Sequence, residues 1–469
     1  MNRVRRPLVE TLTLFTFLIA AAVLSPAQTF TTLHNFSGLD GNDPYLMSLV
    51  QGTDGNLYGA TFLGGAYSNG EVFKITPAGT ISTIYSFCPS DCNGGSTPGA
   101  GLLAASDGNL YGTTWYGGAN AGGVVYRITL SGTETVVYNF SNSGNPDGNL
   151  PQAAVTQGTD GNFYGTTGEF GASIYGTVDK ITPAGVETTL QSFSGHNGAF
   201  PKAKLIEGTD GSFYGTTSGR GVGSDASSYG SIFKVTPAGQ FKTLHAFAGY
   251  PVDGQGSYGG MVQGADGNLY GTTTGGGAYS AGTVFSISPD GSIYKVIHNF
   301  GRDGAYPYGD LIQGTDGKLY GTTSGRGANN GGTIFAITTS GTISTIHNFD
   351  AADGMLSYGG LVQATNGSFY GTTNVGGVNG DGTVYSISVG LGPFVKALPT
   401  SGKVGQAVRI LGSNLTGATS VSFNGTPATF TVLSHSQITT MVPSGATTGN
   451  VQVTVPSGTL TSNVAFQVR

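Results

Sequence analysis

Four histidines, His34, His245, His298 and His347, each stand two residues before a phenylalanine. A regular imidazole column is a first candidate for metal ligation or proton transfer. Their separation argues against shared chemistry. They fall in different repeat units, whereas a zinc site needs its ligands about 2 Å from one point. The column therefore reads as a repeated packing position. The carboxylate of "GTDGNLYG" (residues 52–59) returns in "ASDGNLYG", "GTDGNFYG", "GTDGSFYG", "GADGNLYG" and "GTDGKLYG", with "ATNGSFYG" as an amide version. Each copy offers one acid, against the roughly six to eight oxygens of a Ca²⁺ site. Glycine there supplies the positive φ of a tight turn, so the motif reads as a turn. A third column, Gln51, Gln157, Glu207, Gln263, Gln313 and Gln363, is interrupted by Ala104. Amides at such sites bond each other, the backbone or water.

The acids make no evident catalytic pair. Glu71, Glu169, Asp225, Asp310 and Asp381 are scattered over five repeats, while glycosidase chemistry needs two carboxyl groups about 5 to 10 Å apart. No serine-hydrolase elbow, HExxH or P-loop occurs. No catalytic residue, metal ligand or cofactor is assigned. Asp179 stands where other repeats place Phe73, Tyr126, Phe233, Phe285, Phe335 and Tyr385. A carboxylate at a packed aromatic position is costly unless paired, so the expectation is that this repeat swings it outward. A catalytic acid is the alternative.

The departures that favour binding lie where one repeat leads into the next. The residue after Pro or Ser there is Tyr45, Gly99, Gln152, Lys202, Tyr258, Tyr308 and Tyr358, and Lys204 and Asp310 add charge two positions later. If the repeats close into a ring, four tyrosines are neighbours and half the mouth is aromatic. Rings with a hydroxyl handle suit the apolar face and polar rim of a sugar. Packing between repeats is the competing use. The candidate ligand-binding set is Tyr45, Tyr258, Tyr308, Tyr358, Lys202, Lys204 and Asp310, with Trp115, Tyr116, Phe170, Tyr175, Tyr229 and Tyr279 on loops of the same face.

These residues need a scaffold of repeats. The motif tyrosine recurs at Tyr58, Tyr111, Tyr164, Tyr214, Tyr270, Tyr320 and Tyr370, every 50 to 56 residues. Each unit reads as four short strands: "SLVQ", "NLYGTT", "GTVFSIS" and "GTISTIHNF" are examples. Four strands at this period imply a propeller blade. The seventh unit stops after "GTVYSISVG", while "TFTTLHNF" (29–36) is an orphan fourth strand. Pairing the two would remove both open edges. The expected fold class is all-β: a seven-bladed β-propeller over residues 28–391, closed by its N-terminal strand. The stretch 392–469 alternates at period two and reads as a small Ig-like β-sandwich.

The first 27 residues carry "MNRVRR", an apolar run from Leu12 to Leu24, and "SPA". This is the grammar of a signal peptide, with an apolar run shorter than the ~20 residues of a membrane span. The expected location is secreted, periplasmic or on the outer cell surface, with no transmembrane segment after cleavage. Cys88 and Cys92, the two cysteines of the chain, suit a local disulfide in an exported protein. Charged residues are 9% of the chain and the formal charge is −6, which excludes nucleic acid as a natural partner.

The units typified by "LVQGTDGNLYGATFLGGAYSNGEVFKITPAG" resemble the GloVer (Gloeo/Verruco) tandem repeat of exported bacterial proteins. Through "PTSGKVGQAVRILGSNL", "VSFNGTPATF", "QITTMVP" and "GNVQVTV", the C-terminal stretch is similar to an IPT/TIG immunoglobulin-like domain. The resemblance implies the architecture and brings no catalytic residues. A non-catalytic propeller that binds a glycan or cell-surface ligand on its long-loop face is the leading expectation, with the TIG-like domain as spacer or protein contact. The alternatives are a polysaccharide lyase or glycosidase using acids such as Asp310, and a purely structural envelope or adhesion protein.

Overall fold

A computed structural model describes residues 28–142, 146–219 and 229–469. The leader expected over residues 1–27 lies outside the described residues, as does Asp225. Among the described residues the secondary structure is entirely β, and no helix is long and apolar enough to cross a membrane.

Each repeat unit forms an antiparallel sheet of four strands. In the first, Val50–Gln51 pairs with Leu57–Thr61, then Glu71–Ile75, then Ile81–Ser86. Five more sheets follow this order, the second extended by Ser96–Pro98. The last sheet takes its fourth strand from the other end of the chain. Thr29–Asn35 pairs antiparallel with Thr383–Ser388, from Thr29 opposite Ser388 to Asn35 opposite Thr383.

The repeated octapeptide is a turn with a lock. Gly55 has φ +84°, and the Asp54 carboxylate accepts bonds from the Asn56 amide N (3.1 Å) and from the Tyr58 hydroxyl (2.7 Å). The same Tyr–Asp bond recurs at Tyr111–Asp107, Tyr164–Asp160, Tyr214–Asp210, Tyr270–Asp266 and Tyr320–Asp316. Asn366 replaces the acid beside Tyr370. A phenol buried at a sheet end needs such a partner. The glycine after each tyrosine has a packing reason: a Cβ on Gly59 would stand 2.5 Å from the Phe73 ring.

The core is divided among the interfaces between sheets. Tyr58 and Phe87 of the first unit pack with Leu110 and Tyr126 of the second. Equivalent clusters join units two and three, three and four, four and five, five and six, and six and seven. A seventh cluster joins Tyr370 and Val384 of the last unit to Leu57, Phe73 and Phe36. The glutamine column stitches the same junctions. Its side-chain carbonyl accepts a backbone N–H of the preceding repeat, as in Thr209 to Gln263 (2.9 Å), Ala265 to Gln313 (3.0 Å) and Thr315 to Gln363 (3.1 Å). Thr365 of the last unit donates in the same way to Gln51 of the first, at 3.0 Å.

Residues 396–468 build two further four-stranded sheets around their own core of Val408, Ile410, Phe423, Val453 and Phe466. This unit sits on the turn side of the repeats. Ser436 bonds the Thr53 carbonyl at 3.0 Å, Ser413 the Thr365 hydroxyl at 3.0 Å, and Lys396 Nζ the Gln363 carbonyl at 2.6 Å. Burial lowers the Lys396 pKa to about 8.

Two glutamates, one buried and one half-buried, give the fold a pH signature. Glu71 is 1% exposed and receives the Thr83 hydroxyl at 3.1 Å; Glu134 has a buried carboxyl oxygen without a partner. Burial pushes both pKa values up to about 7, against about 4.3 in an unfolded chain. Between these values the folded state holds protons that the unfolded chain has released, so stability falls as pH rises and levels off above about 7. At the acid end, Asp253 opposes burial with bonds from His245 and Tyr294, and its pKa is lowered. That stability is lost as pH falls below the ordinary carboxylate range. The melting temperature should therefore peak near about pH 5 and drop by several degrees toward pH 8. In the double variant Glu71→Gln/Glu134→Gln the neutral-side slope should flatten, and an unchanged slope in thermal melts would refute the assignment.

Candidate functional site

The connections that lead into each innermost strand share one face with the loops between the second and third strands. Paired bridges hold them together: Asn42 with Leu63, Asn149 with Glu169, Ala305 with Gly325, and Met355 with Val375. The residue before each Pro or Ser of these connections has positive φ, from Thr97 (φ 51°) to Phe200 (φ 57°) and Tyr306 (φ 58°). Bulky side chains seldom adopt that region, at a cost of about 1–2 kcal/mol. The repeated turn aims the following side chain inward.

Where these connections meet lies a cavity of about 330 Å³. All seven repeats line it, through Leu46 and Ser48, Gly101, Gln152, Lys202 and Lys204, Tyr258, Asp310 with Tyr308, and Tyr358. Thr400 of the C-terminal unit contributes on the turn side. The tyrosines form one chain of half-buried rings. Tyr258 meets Tyr308 at 5.2 Å between centroids, Tyr308 meets Tyr358 at 5.0 Å, and Tyr358 meets Tyr45 at 5.3 Å. Edge and tilted contacts of this kind hold rings in fixed poses, at about 0.5–1.5 kcal/mol each.

Two details depart from the sequence expectation. Tyr45 joins the ring chain but does not line the cavity. The first repeat has one extra residue between Pro44 and the innermost strand, so Leu46, with φ 54°, takes the inward place. The aromatic arc is also longer than the tyrosine column. Gly99 leaves room for Trp115, whose Nε1 would stand 1.4 Å from a Cβ at that position. The indole packs against Phe62 at 4.9 Å and Tyr45 at 6.2 Å. Aromatic side chains thus come from five repeats, and among the residues that follow the Pro or Ser the polar ones are Gln152 and Lys202. The sequence held the signal: the residue after "GTT" or "GAT" is aromatic only at Phe62 and Trp115.

The charged candidates meet across the cavity. Lys204 Nζ lies 2.7 Å from Asp310 Oδ2. The Gly260 amide donates to Asp310 Oδ1 at 2.5 Å, and the Ser48 hydroxyl reaches Oδ2 at 3.5 Å. Burial works against the Asp310 charge, but Lys204 and these donors outweigh it and hold its pKa below the usual range. Asp310 is an ionised anchor for four sheets, a poor proton donor at neutral pH. Lys202 stands 5.4 Å from the Tyr258 ring centroid, and burial pulls its pKa down.

The remaining candidates lie elsewhere. Asp179 does not swing out. It stays 1% exposed opposite Gly165, accepts a bond from Thr177 at 2.5 Å, and keeps one carboxyl oxygen unpartnered. Burial raises its pKa strongly, with Glu187 and Asp147 adding repulsion. The neutral acid replaces an aromatic ring without needing a counter-charge. The column histidines each meet an aspartate of the following loop: His34–Asp40, His245–Asp253, His298–Asp303 and His347–Asp353, at 2.7–2.9 Å. They tie loops to strands. Cys88 and Cys92 are joined as a disulfide in the loop after the first sheet. Among the described residues no three His, Cys, Asp or Glu side chains are placed to share a metal ion.

Comparison with known proteins places this architecture. The Gloeobacter/Verrucomicrobia repeat matches residues 21–229 and 209–427, and the IPT/TIG domain matches 393–468. No curated protein matches the chain. Among solved structures, the extracellular domain of the putative one-component system BT4673 from B. thetaiotaomicron aligns at 12% identity and TM-score 0.50. The alignment covers 94% of this chain and 59% of that one, so this chain spans under two thirds of that protein. A fungal alcohol oxidase of the AA5 family, in complex with copper, aligns at 12% identity and TM-score 0.50, covering 94% of this chain and 98% of that one. At such identity the likeness is one of fold alone.

Proposed function

Because the chain belongs to the Gloeobacter/Verrucomicrobia repeat family and ends in an IPT/TIG domain, we propose an exported seven-bladed β-propeller that binds a glycan or another extracellular ligand without transforming it. The seventh shared cluster and the Thr365–Gln51 bond support a closed ring. Its domain limits are those of the sequence reading, 28–391 for the propeller and 392–469 for the Ig-like unit. An extracellular location agrees with the leader and with the B. thetaiotaomicron neighbour.

One observation carries the binding reading: a continuous aromatic arc beside a cavity that all seven repeats line. Rigid rings with hydroxyl edges bind sugar faces at low entropic cost. The enzymatic alternative leans on Asp310, which Lys204 already engages. The test uses Trp115, the single tryptophan, as a reporter at the mouth. A glycan panel should yield at least one ligand that shifts its fluorescence. In a Tyr258→Ala/Tyr308→Ala/Tyr358→Ala variant that still melts cooperatively, retention of that ligand should disappear. Retention unchanged by the triple variant would refute the arc. Release of shorter products from the same panel would refute the non-catalytic role.

A further inference from the structure

The charges lining the cavity are Lys202, Lys204, Glu207 and Asp310. Three have partners: Lys204 and Asp310 face each other at 2.7 Å, and Glu207 takes the Thr159 amide at 2.9 Å with Arg469 at 3.5 Å. Lys202 has no ion pair and no side-chain hydrogen bond among the described residues. Its ammonium rests over the Tyr258 ring. Glu169, the acid whose field reaches it, is exposed and forms no ion pair with it. A half-buried ammonium whose close partner among the described residues is an aromatic ring favours an incoming anion.

The cavity also has a direction. Its turn side is covered by the C-terminal unit, where Lys396, Ser413, Ser436 and Arg469 hold the rims of repeats seven, one and four, and Thr400 closes the lining. Entry is from the tyrosine face. A cavity of about 330 Å³ is at the small end of ligand sites, about 300–1,000 Å³, and suits one or two sugar rings. With the C-terminal unit bonded across its turn side, a cavity of that size suits a chain terminus better than a through-running polymer.

We propose that the cavity takes the terminal sugar acid of an acidic polysaccharide, end-on, with the sugar carboxylate on Lys202 and the ring face against Tyr258 and Tyr308. This rests on the glycan-binding reading and names its ligand class as uronate-type sugars. Gln152, next to Lys202 on the polar sector, is placed for the ring hydroxyls. The aromatic arc takes the apolar face.

The test is titration of the mature full-length protein with matched oligosaccharides ending in glucuronate, galacturonate or mannuronate, and with their methyl esters. At least one acid should bind tenfold or more tightly than its ester, with an advantage that shrinks as salt rises. Lys202→Met should erase the advantage of acid over ester, and Lys202→Arg should retain most of it. An acid blocked at the non-reducing end by a bulky group should fail to bind. Equal binding of acid and ester, or an advantage that survives in Lys202→Met, overturns the proposal while leaving the glycan-binding reading intact. Binding of neither form by any pair, with the tryptophan signal flat across the panel, overturns both.

Discussion

A chain lacking residues 29–36 is expected to lose the cooperative melting of its repeat region, and a peptide of the same residues added in excess should restore it. The deletion strips the Thr383–Ser388 strand of its ladder partner and leaves that strand as an open sheet edge. It also removes Phe36, fully buried in the cluster between the last and first repeats. Phe30 goes too, stacked 3.8 Å from His347. A buried Phe→Ala change alone costs about 3–5 kcal/mol, against about 5–15 kcal/mol for a whole domain. The single variant Phe36→Ala should therefore melt well below the parent. Calorimetry decides it. A truncated chain that melts within about 2 °C of the parent would show that the repeat region does not depend on this strand.

The second large effect belongs to the Lys204–Asp310 pair. Lys204→Met should cost about 2 kcal/mol, less than the 3–5 kcal/mol of a fully buried pair because Lys204 is one-third exposed. The loss comes mainly from the carboxylate left behind, which still orders Gly260 and Ser48. Lys204→Met combined with Asp310→Leu should recover most of it, since apolar replacement of both partners is nearly neutral. Denaturant midpoints of the two singles and the double give the coupling. Strict additivity would mean that the two charges do not depend on each other.

Periodicity made the scaffold legible. Seven copies of a turn motif, each followed by β-branched and aromatic runs, specify strands by local chemistry alone, and the surplus strand at 29–36 had one vacancy to fill. The glutamine column was legible as a hydrogen-bonding position, but its partners, backbone amides of the preceding repeat, are some 50 residues away and carry no sequence mark. Asp179 shows the limit of a pairwise rule. A charged acid at an aromatic position is costly, which points to expulsion, yet protonation lets it stay. That choice depends on the surrounding dielectric and on Glu187 and Asp147, which only the fold assembles.

The site divides the same way. By itself the sequence determined the repeat, the tyrosine column and the unusual residues Lys202, Lys204 and Asp310, because each is a local departure from a repeated pattern. Tertiary structure alone decided that Trp115 fills the place vacated by Gly99, that Leu46 displaces Tyr45 from the cavity, and that Lys204 uses Asp310 while Lys202 has no ion pair among the described residues. The physical reason is distance. Such contacts join residues of different sheets, and no local pattern fixes which side chains share a cavity until the packing of the sheets brings them within reach.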